Sequence, residues 1–304
     1  EIVSRDWSSD VCSSDLLPIH FNPTYTGVRN NSETTVKAGV IAASLVRNPV
    51  DGVRIVDPID FTDEAERLIH AVHSPHYVEA VRTGTPRHLA TSNGLEWCPD
   101  LHRMATAHSA GLVAATHHAL STGGTSGSLS SGLHHAAADC GKGFCTYNGL
   151  AVAAHRALEL GAHRVLILDV DAHCGGGTFS IIKDHPGVVQ VDVSTSYGYD
   201  SFVATGDHRL IPAGHDDYAD GIEEGLDHAS TLGGVDFIIA NMGMDPINDG
   251  VDPRVIAVRE RMVRDFIGNT PAIFAIAGGY KWGGHSIDDV ASWHRMTIEQ
   301  WASR

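Results

Sequence analysis

The strongest constraint on this chain lies in its second half. Four short runs there, VLILDVD (165–171), VVQVDVS (188–194), FIIANMG (237–243) and AIFAIAG (272–278), are apolar and β-prone, with helix-length segments between most of them. A strand that is apolar on successive residues has no face to give to water, so both of its faces must be covered. Alternation with helices then selects a parallel sheet between helical layers. Polar residues gather where these strands end: Asp169, Asp171 and His173; Asp192 and Ser194; Asp245; and Tyr280. In open α/β sheets that edge is where ligands bind.

Upstream, apolar residues recur at helical spacing over Lys37–Arg47 and over Glu64–Thr83, where Pro75 interrupts the pattern. An alanine-rich stretch, Leu101–Ser121, reads as a long helix. The Gly/Ser-rich segment 121–132 reads as a connection delivering the chain to Leu133-His134-His135, and Leu150–Leu160 reads as a further helix. No Pro-rich or charged linker divides the chain, so one domain over residues 17–304 is expected. Residues 1–16 repeat Ser-Ser-Asp and lack the apolar stretch of a signal peptide. They read as a non-native or disordered leader.

Composition narrows the function. A formal net charge of -16 repels nucleic acid and favours cationic partners. No apolar run reaches the roughly 18 residues of a membrane span. The five cysteines are odd in number and form no C-x-x-C pair, which argues against a disulfide framework or a zinc knuckle and for a reducing, cytoplasmic setting. Twenty histidines can supply both metal ligands and proton-transfer groups.

In DVDAHCGGG (169–177), Asp171 and His173 lie two apart at a strand end and leave the backbone on the same side. With Asp245 as a second carboxylate they make a three-ligand zinc site with one open position, as catalytic zinc requires. Amide hydrolysis also needs a base and an acid, which the tandem His134 and His135 can provide. A second pair, His117 and His118, falls in the alanine-rich helix and reads as structural. Tyr280, flanked by glycines, can present a phenol to a developing oxyanion.

GLHHA, Gly141–Cys145, LDVDAH, Thr205–Asp207, GMDP and GGY stand in the order found in the histone deacetylase family, which the chain resembles from about residue 17 to 300; VHSPHYVEAV is similar to that family's early helix. The resemblance implies an arginase/deacetylase-type fold, a three-layer α/β architecture with an eight-stranded, mostly parallel sheet. It implies a zinc-dependent hydrolase of N-acetyl or short acyl amides, such as acetyl-lysine or acetylpolyamines. Asp171, His173 and Asp245 would be the zinc ligands, His135 the general acid/base and His134 its electrostatic partner. Tyr280 would be the oxyanion donor. Asp169 would orient His134 and, with Asp192, frame a K+ or Na+ site. Phe144 and Phe202, with Gly143 beside them, would line the acyl-lysine tunnel. A homo-oligomer of a bacterial, cytoplasmic enzyme is compatible with this reading.

Two departures stand out. Gly176 occupies a position where the family usually carries Asp or Asn to hold one of the tandem histidines, here His135. Either a water or another side chain replaces that partner, or catalysis is impaired and the chain is an acyl-amine binding homologue. Asp192 and Ser194 replace what are commonly Ser and His. Cys174 reads as a small buried residue rather than a fourth ligand. A dimetal ureohydrolase of the same fold would need Asp where Gly175 and Ile247 stand. Trp97 and Trp282 read as either rim or core aromatics.

Overall fold

A computed structural model of the chain describes residues 16–28 and 33–303; the leader read from residues 1–16 lies outside them but for Leu16. Eight strands, β1 (Leu17–His20), β2 (Val53–Val56), β3 (Thr125–Ser128), β4 (Val165–Asp169), β5 (Val188–Ser194), β6 (Arg209–Pro212), β7 (Phe237–Gly243) and β8 (Ala272–Ala277), form one sheet in the order β2-β1-β3-β8-β7-β4-β5-β6. Every pairing is parallel.

The apolar strands alternate their side chains between two cores. Leu166 and Leu168 of β4, Ala240 and Met242 of β7, and Phe274 and Ile276 of β8 pack with the helices Lys37–Arg47, Tyr218–Thr231, Pro253–Ile267 and Ile287–Ala302. Val165 and Ile167, Phe237 and Ile239, and Ile273 and Ala275 point to the other face, against Leu101–Thr122 and Gly149–Glu159. A third cluster packs Thr62–Val72 and Pro75–Thr83 outside the long helix. The break at Pro75 has a local cause: Ser74 caps the second helix by accepting from the Tyr77 amide, with Pro75 in the first turn, where no amide donor is needed.

Four strands, β1, β2, β3 and β6, are absent from the sequence reading, and β3 lies inside the segment read as a Gly/Ser connection. It is buried between β1 and β8 without one large side chain. Its Ser126 and Ser128 hydroxyls are satisfied by the Pro18 carbonyl and by Ser130. Gly127 faces the Phe274 ring, which a methyl group there would penetrate. Across the layer, Gly111 of the long helix faces Ser128 and Tyr25 just as closely. Smallness here is a packing requirement of two layers in close approach.

All the strand ends that carry polar residues meet at the carboxyl edge of the sheet, with β3 and β8 beside β7, β4 and β5.

Candidate metal-dependent active site

Asp171 and His173 follow β4, and Asp245 follows β7, its neighbour in the sheet. His173 Nδ1 lies 3.0 Å from Asp245 Oδ2 and 3.4 Å from Asp171 Oδ1, and the three ligand atoms fall within 4.8 Å of one another. No other group of this kind is present among the described residues. Two buried carboxylates facing one imidazole concentrate negative charge away from water, which a divalent cation would neutralise. The donor set of one nitrogen and two carboxylates therefore fits zinc. The lone site also speaks against a dimetal ureohydrolase: Gly175 and the buried Ile247 offer no second set of ligands.

Without a metal, the same charge is met by a proton. Burial works against a charged His173, but Asp171 and Asp245 outweigh it and raise its pKa to about 11. Burial and the neighbouring Asp171 carboxylate raise Asp245. Zinc binding at pH 7 should therefore release about one proton per ion. Calorimetry in two buffers of different ionisation enthalpy reads this directly, and equal heats in both would place the ion elsewhere.

His134 and His135 sit in the loop after β3, their rings 3.9 Å apart. His134 Nδ1 donates to Asp169 Oδ2 at 2.8 Å, while Asn241 Nδ2 and the Asp171 amide hold the other Asp169 oxygen. Burial opposes a charge on His134, but Asp169 and Asp171 raise its pKa to about 9. His135 is lowered to about 4, by burial first and by His134 next. The two rings thus differ in kind, one cationic and one neutral.

Tyr280 follows β8 across the same cavity, lined by His134, His135, Asp171, His173, Asp245 and Tyr280 itself. Burial, then the Asp245 and Asp171 charges, push the phenol well above its ordinary pKa, so it stays a proton donor. Its backbone is clamped by Asn248, whose side-chain oxygen accepts from the Tyr280 amide and whose amide donates to the Tyr280 carbonyl, each at 2.9 Å. Lys37 is fully buried below, donating to the Gly278 carbonyl with its ammonium 5.5 Å from the Tyr280 ring centre. Burial lowers Lys37 to about 8 despite the pull of Asp245 and Asp171. Neither Asn248 nor Lys37 was legible as a site residue; a lysine in the apolar stripe of a helix was the available signal.

The candidate tunnel residues separate. Phe144, held at φ +64°, faces Tyr280 with ring centres 6.4 Å apart. Gly143 lies against His135, where a methyl group would come within 2.5 Å of the ring. Phe202 instead stacks on Phe179 at 4.2 Å, and Tyr199 takes the place beside the site, edge-on to both His135 and His173. Trp282, 57 % exposed, stacks on Tyr280, whereas Trp97 is tied to the Val81 carbonyl in the helical layer. His117, on the long helix, binds Glu64 of the helix Thr62–Val72. Cys174 is buried and stands outside the ligand group.

Asp192 is buried, its oxygens taken by the Gly175 amide at 2.7 Å and Gln190 Nε2 at 2.8 Å. Burial and Asp169 raise its pKa well above the carboxylate range. Those contacts satisfy Asp192 from within the protein. The partner of His135 is Asp200, from the loop after β5: His135 Nδ1 donates to Asp200 Oδ2 at 2.9 Å. Of the alternatives left open at Gly176, the one found is another side chain, and its sequence signal, an Asp within an aromatic loop, carries no motif.

A profile described as the histone deacetylase domain matches residues 32–219, more than half of the chain. An uncharacterized protein of Picosynechococcus is 28% identical over 232 residues, covering 72% of this chain and 77% of that one. The acetylpolyamine amidohydrolase 2 of Pseudomonas aeruginosa is 41% identical over 78 residues, 25% of this chain and 23% of that one. In structure, an acetylpolyamine aminohydrolase from Burkholderia pseudomallei aligns with a TM-score of 0.73 at 17% identity, over 94% of this chain and 99% of that one. No helix among the described residues is long and apolar enough to cross a membrane. The chain belongs to the histone deacetylase family, a hydrolase family of zinc-dependent deacetylases.

Proposed function

We propose that this chain hydrolyses an N-acetyl or other short acyl amide of a linear amine, as in acetyl-lysine or an acetylpolyamine. The observation that carries this reading is the convergence of the Asp171, His173 and Asp245 ligand atoms with His134, His135 and Tyr280 on one buried cavity. A zinc ion held by those three ligands would supply Lewis acidity toward the acyl oxygen and toward water. The chain's own groups supply the rest. Tyr280, kept protonated by burial, donates to the oxygen on which charge develops. His135, neutral and with Nδ1 committed to Asp200, keeps Nε2 free to take a proton from water and return it to the leaving amine. His134, its Nδ1 held by Asp169, stands beside that transfer as its electrostatic partner.

The acyl-amine binding alternative drew on a His135 without support and loses that ground. The acidic surface suits a cationic amine substrate. Incubating the zinc-loaded protein with an acetyl-lysine peptide and with acetylated polyamines, and measuring acetate, tests the proposal. Tyr280→Phe should lower turnover by about 10²–10³-fold, the usual effect of removing one oxyanion donor. Turnover unchanged in that variant would remove Tyr280 from the chemistry.

A further inference from the structure

We propose that Asp200 is the positioning residue for His135, a carboxylate delivered by the β5–β6 loop into the space that glycine at position 176 leaves open. The proposal rests on the hydrolase reading above for its consequence in rate, but not for its geometry.

Three features mark Asp200 as built for this place. Its side chain is only 12% exposed, and one of its oxygens is turned to His135. Oδ2 accepts from His135 Nδ1 at 2.9 Å and from the Gly177 amide at 3.1 Å, while Oδ1 accepts from Lys142 Nζ at 2.5 Å. Second, the residue sits at φ +58°, a left-handed conformation that side chains other than those of Asn and Asp rarely adopt. Backbone strain of this kind persists where the surroundings over-determine it. Third, Gly176 does not have a positive φ, so its glycine serves space rather than backbone freedom. A methyl group on it would overlap the Asp200 carbonyl oxygen and lie 3.0 Å from Cγ. Position 176 can carry a side chain, or the loop can bring Asp200 in; the two arrangements exclude one another.

The arrangement fixes the tautomer of His135. With Nδ1–H committed to Asp200, the Nε2 lone pair is left for the cavity, and the ring is held edge-on to Tyr199 at 4.9 Å. Lys142 steadies the carboxylate from the far side and lies over the same Tyr199 ring, 4.9 Å from its centre. Asp200, Tyr199 and Lys142 thus form one unit around His135.

The test uses Asp200→Asn, which keeps the side-chain shape and tolerates the left-handed backbone, and a transplant. In the zinc-loaded protein, D200N should lower kcat by about 10–100-fold, the range for partners that orient a site histidine, with KM within about twofold, zinc content unchanged and melting temperature little altered. D200G should fall at least as far. The double variant G176D/D200G, in which glycine lets the loop carbonyl move aside, should regain at least about tenfold over D200G. G176D alone should lose activity through the overlap. Nitrogen NMR of the ring, assigned with His135→Gln, should show the Nδ1–H tautomer in the wild-type chain and a changed population in D200N. That readout holds whether or not the wild type turns over an acyl amine, so a failure of the hydrolase reading is seen separately. The same tautomer in both chains, or a D200N kcat within twofold of wild type, would overturn the assignment.

Discussion

Replacing Arg259 with methionine should destabilise the fold by about 3–5 kcal/mol, the usual effect of removing one partner of a buried ion pair. Arg259 is completely buried in the helix Pro253–Ile267. One guanidinium nitrogen donates to the Val170 carbonyl at 3.2 Å and the Gly243 carbonyl at 2.5 Å; the other donates to Glu260 at 2.5 Å. Tyr218 also donates to Val170, at 2.6 Å. Val170 lies between Asp169 and Asp171, and Gly243 lies two residues before Asp245, so one side chain ties together the strand ends that carry the metal ligands. Methionine fills much of the volume but leaves the Glu260 carboxylate buried and unpaired, along with a carbonyl acceptor. Urea unfolding at neutral pH measures the loss, and the double variant R259M/E260Q should recover part of it by removing the stranded charge. A loss below about 1 kcal/mol, within the range of a surface pair, would mean that water takes over these contacts. Zinc affinity should weaken in R259M even where the protein remains folded, because the ligand-bearing ends lose their common anchor.

Acidification should unfold the protein well before its carboxylates are fully titrated. His73 and His108 are buried with both ring nitrogens committed. The Asn148 amide donates to His73 Nε2 at 2.9 Å while Nδ1–H donates to the Ala137 carbonyl at 2.9 Å. The Ser131 amide donates to His108 Nδ1 at 3.2 Å while Nε2–H donates to the Tyr25 carbonyl at 3.1 Å. A second ring proton would oppose an amide N–H in each case. Burial lowers both pKa values to about 4. The unfolded chain takes up these protons near pH 6.5 and the folded chain does not, so the stability is complete above about pH 6.5 and drains away as the pH falls toward 4. Two such groups remove about 2.7 kcal/mol per pH unit across that window, against a total stability of roughly 5–15 kcal/mol. Unfolding free energy measured in urea at intervals from pH 7 to 5 should show at least this slope, and His73→Gln with His108→Gln should reduce it by about 2.7 kcal/mol per pH unit, leaving the share of other buried histidines such as His135. A wild-type curve that is flat in this interval would contradict the assignment. Both histidines brace the loop that carries His134 and His135, so acid should loosen the site along with the fold.

Much of the architecture was legible because continuous apolar strands leave so few options. The runs at 188–194 and 237–243 form strands over those residues, and the helix Lys37–Arg47 begins and ends where its spacing says. What escaped was governed by contact rather than pattern. β3 contains no residue with strand propensity beyond Thr125; it is a strand because Gly111, Gly127 and two serines let a helix and a sheet approach closely. Within the site, Asp171, His173 and Asp245 could be named because ligand spacing at strand ends follows from backbone geometry. Asp200 could not, since its role depends on where a loop of irregular conformation happens to turn. The same loop puts Tyr199 against His135 and sends Phe202 onto Phe179, which no spacing in the sequence foretells. Arg259 was hidden differently, as one charged residue among several on an amphipathic helix, where only packing shows which of them points inward.

The overlap between Gly176 and Asp200 makes two positions far apart in sequence into a single heritable character. A chain carrying a side chain at 176 cannot acquire this loop conformation in one step, nor can this chain return by one step, since either intermediate has two groups in one space or none. A motif read one position at a time would score Gly176 as a loss, because the carboxylate on His135 comes from 24 residues further along the chain.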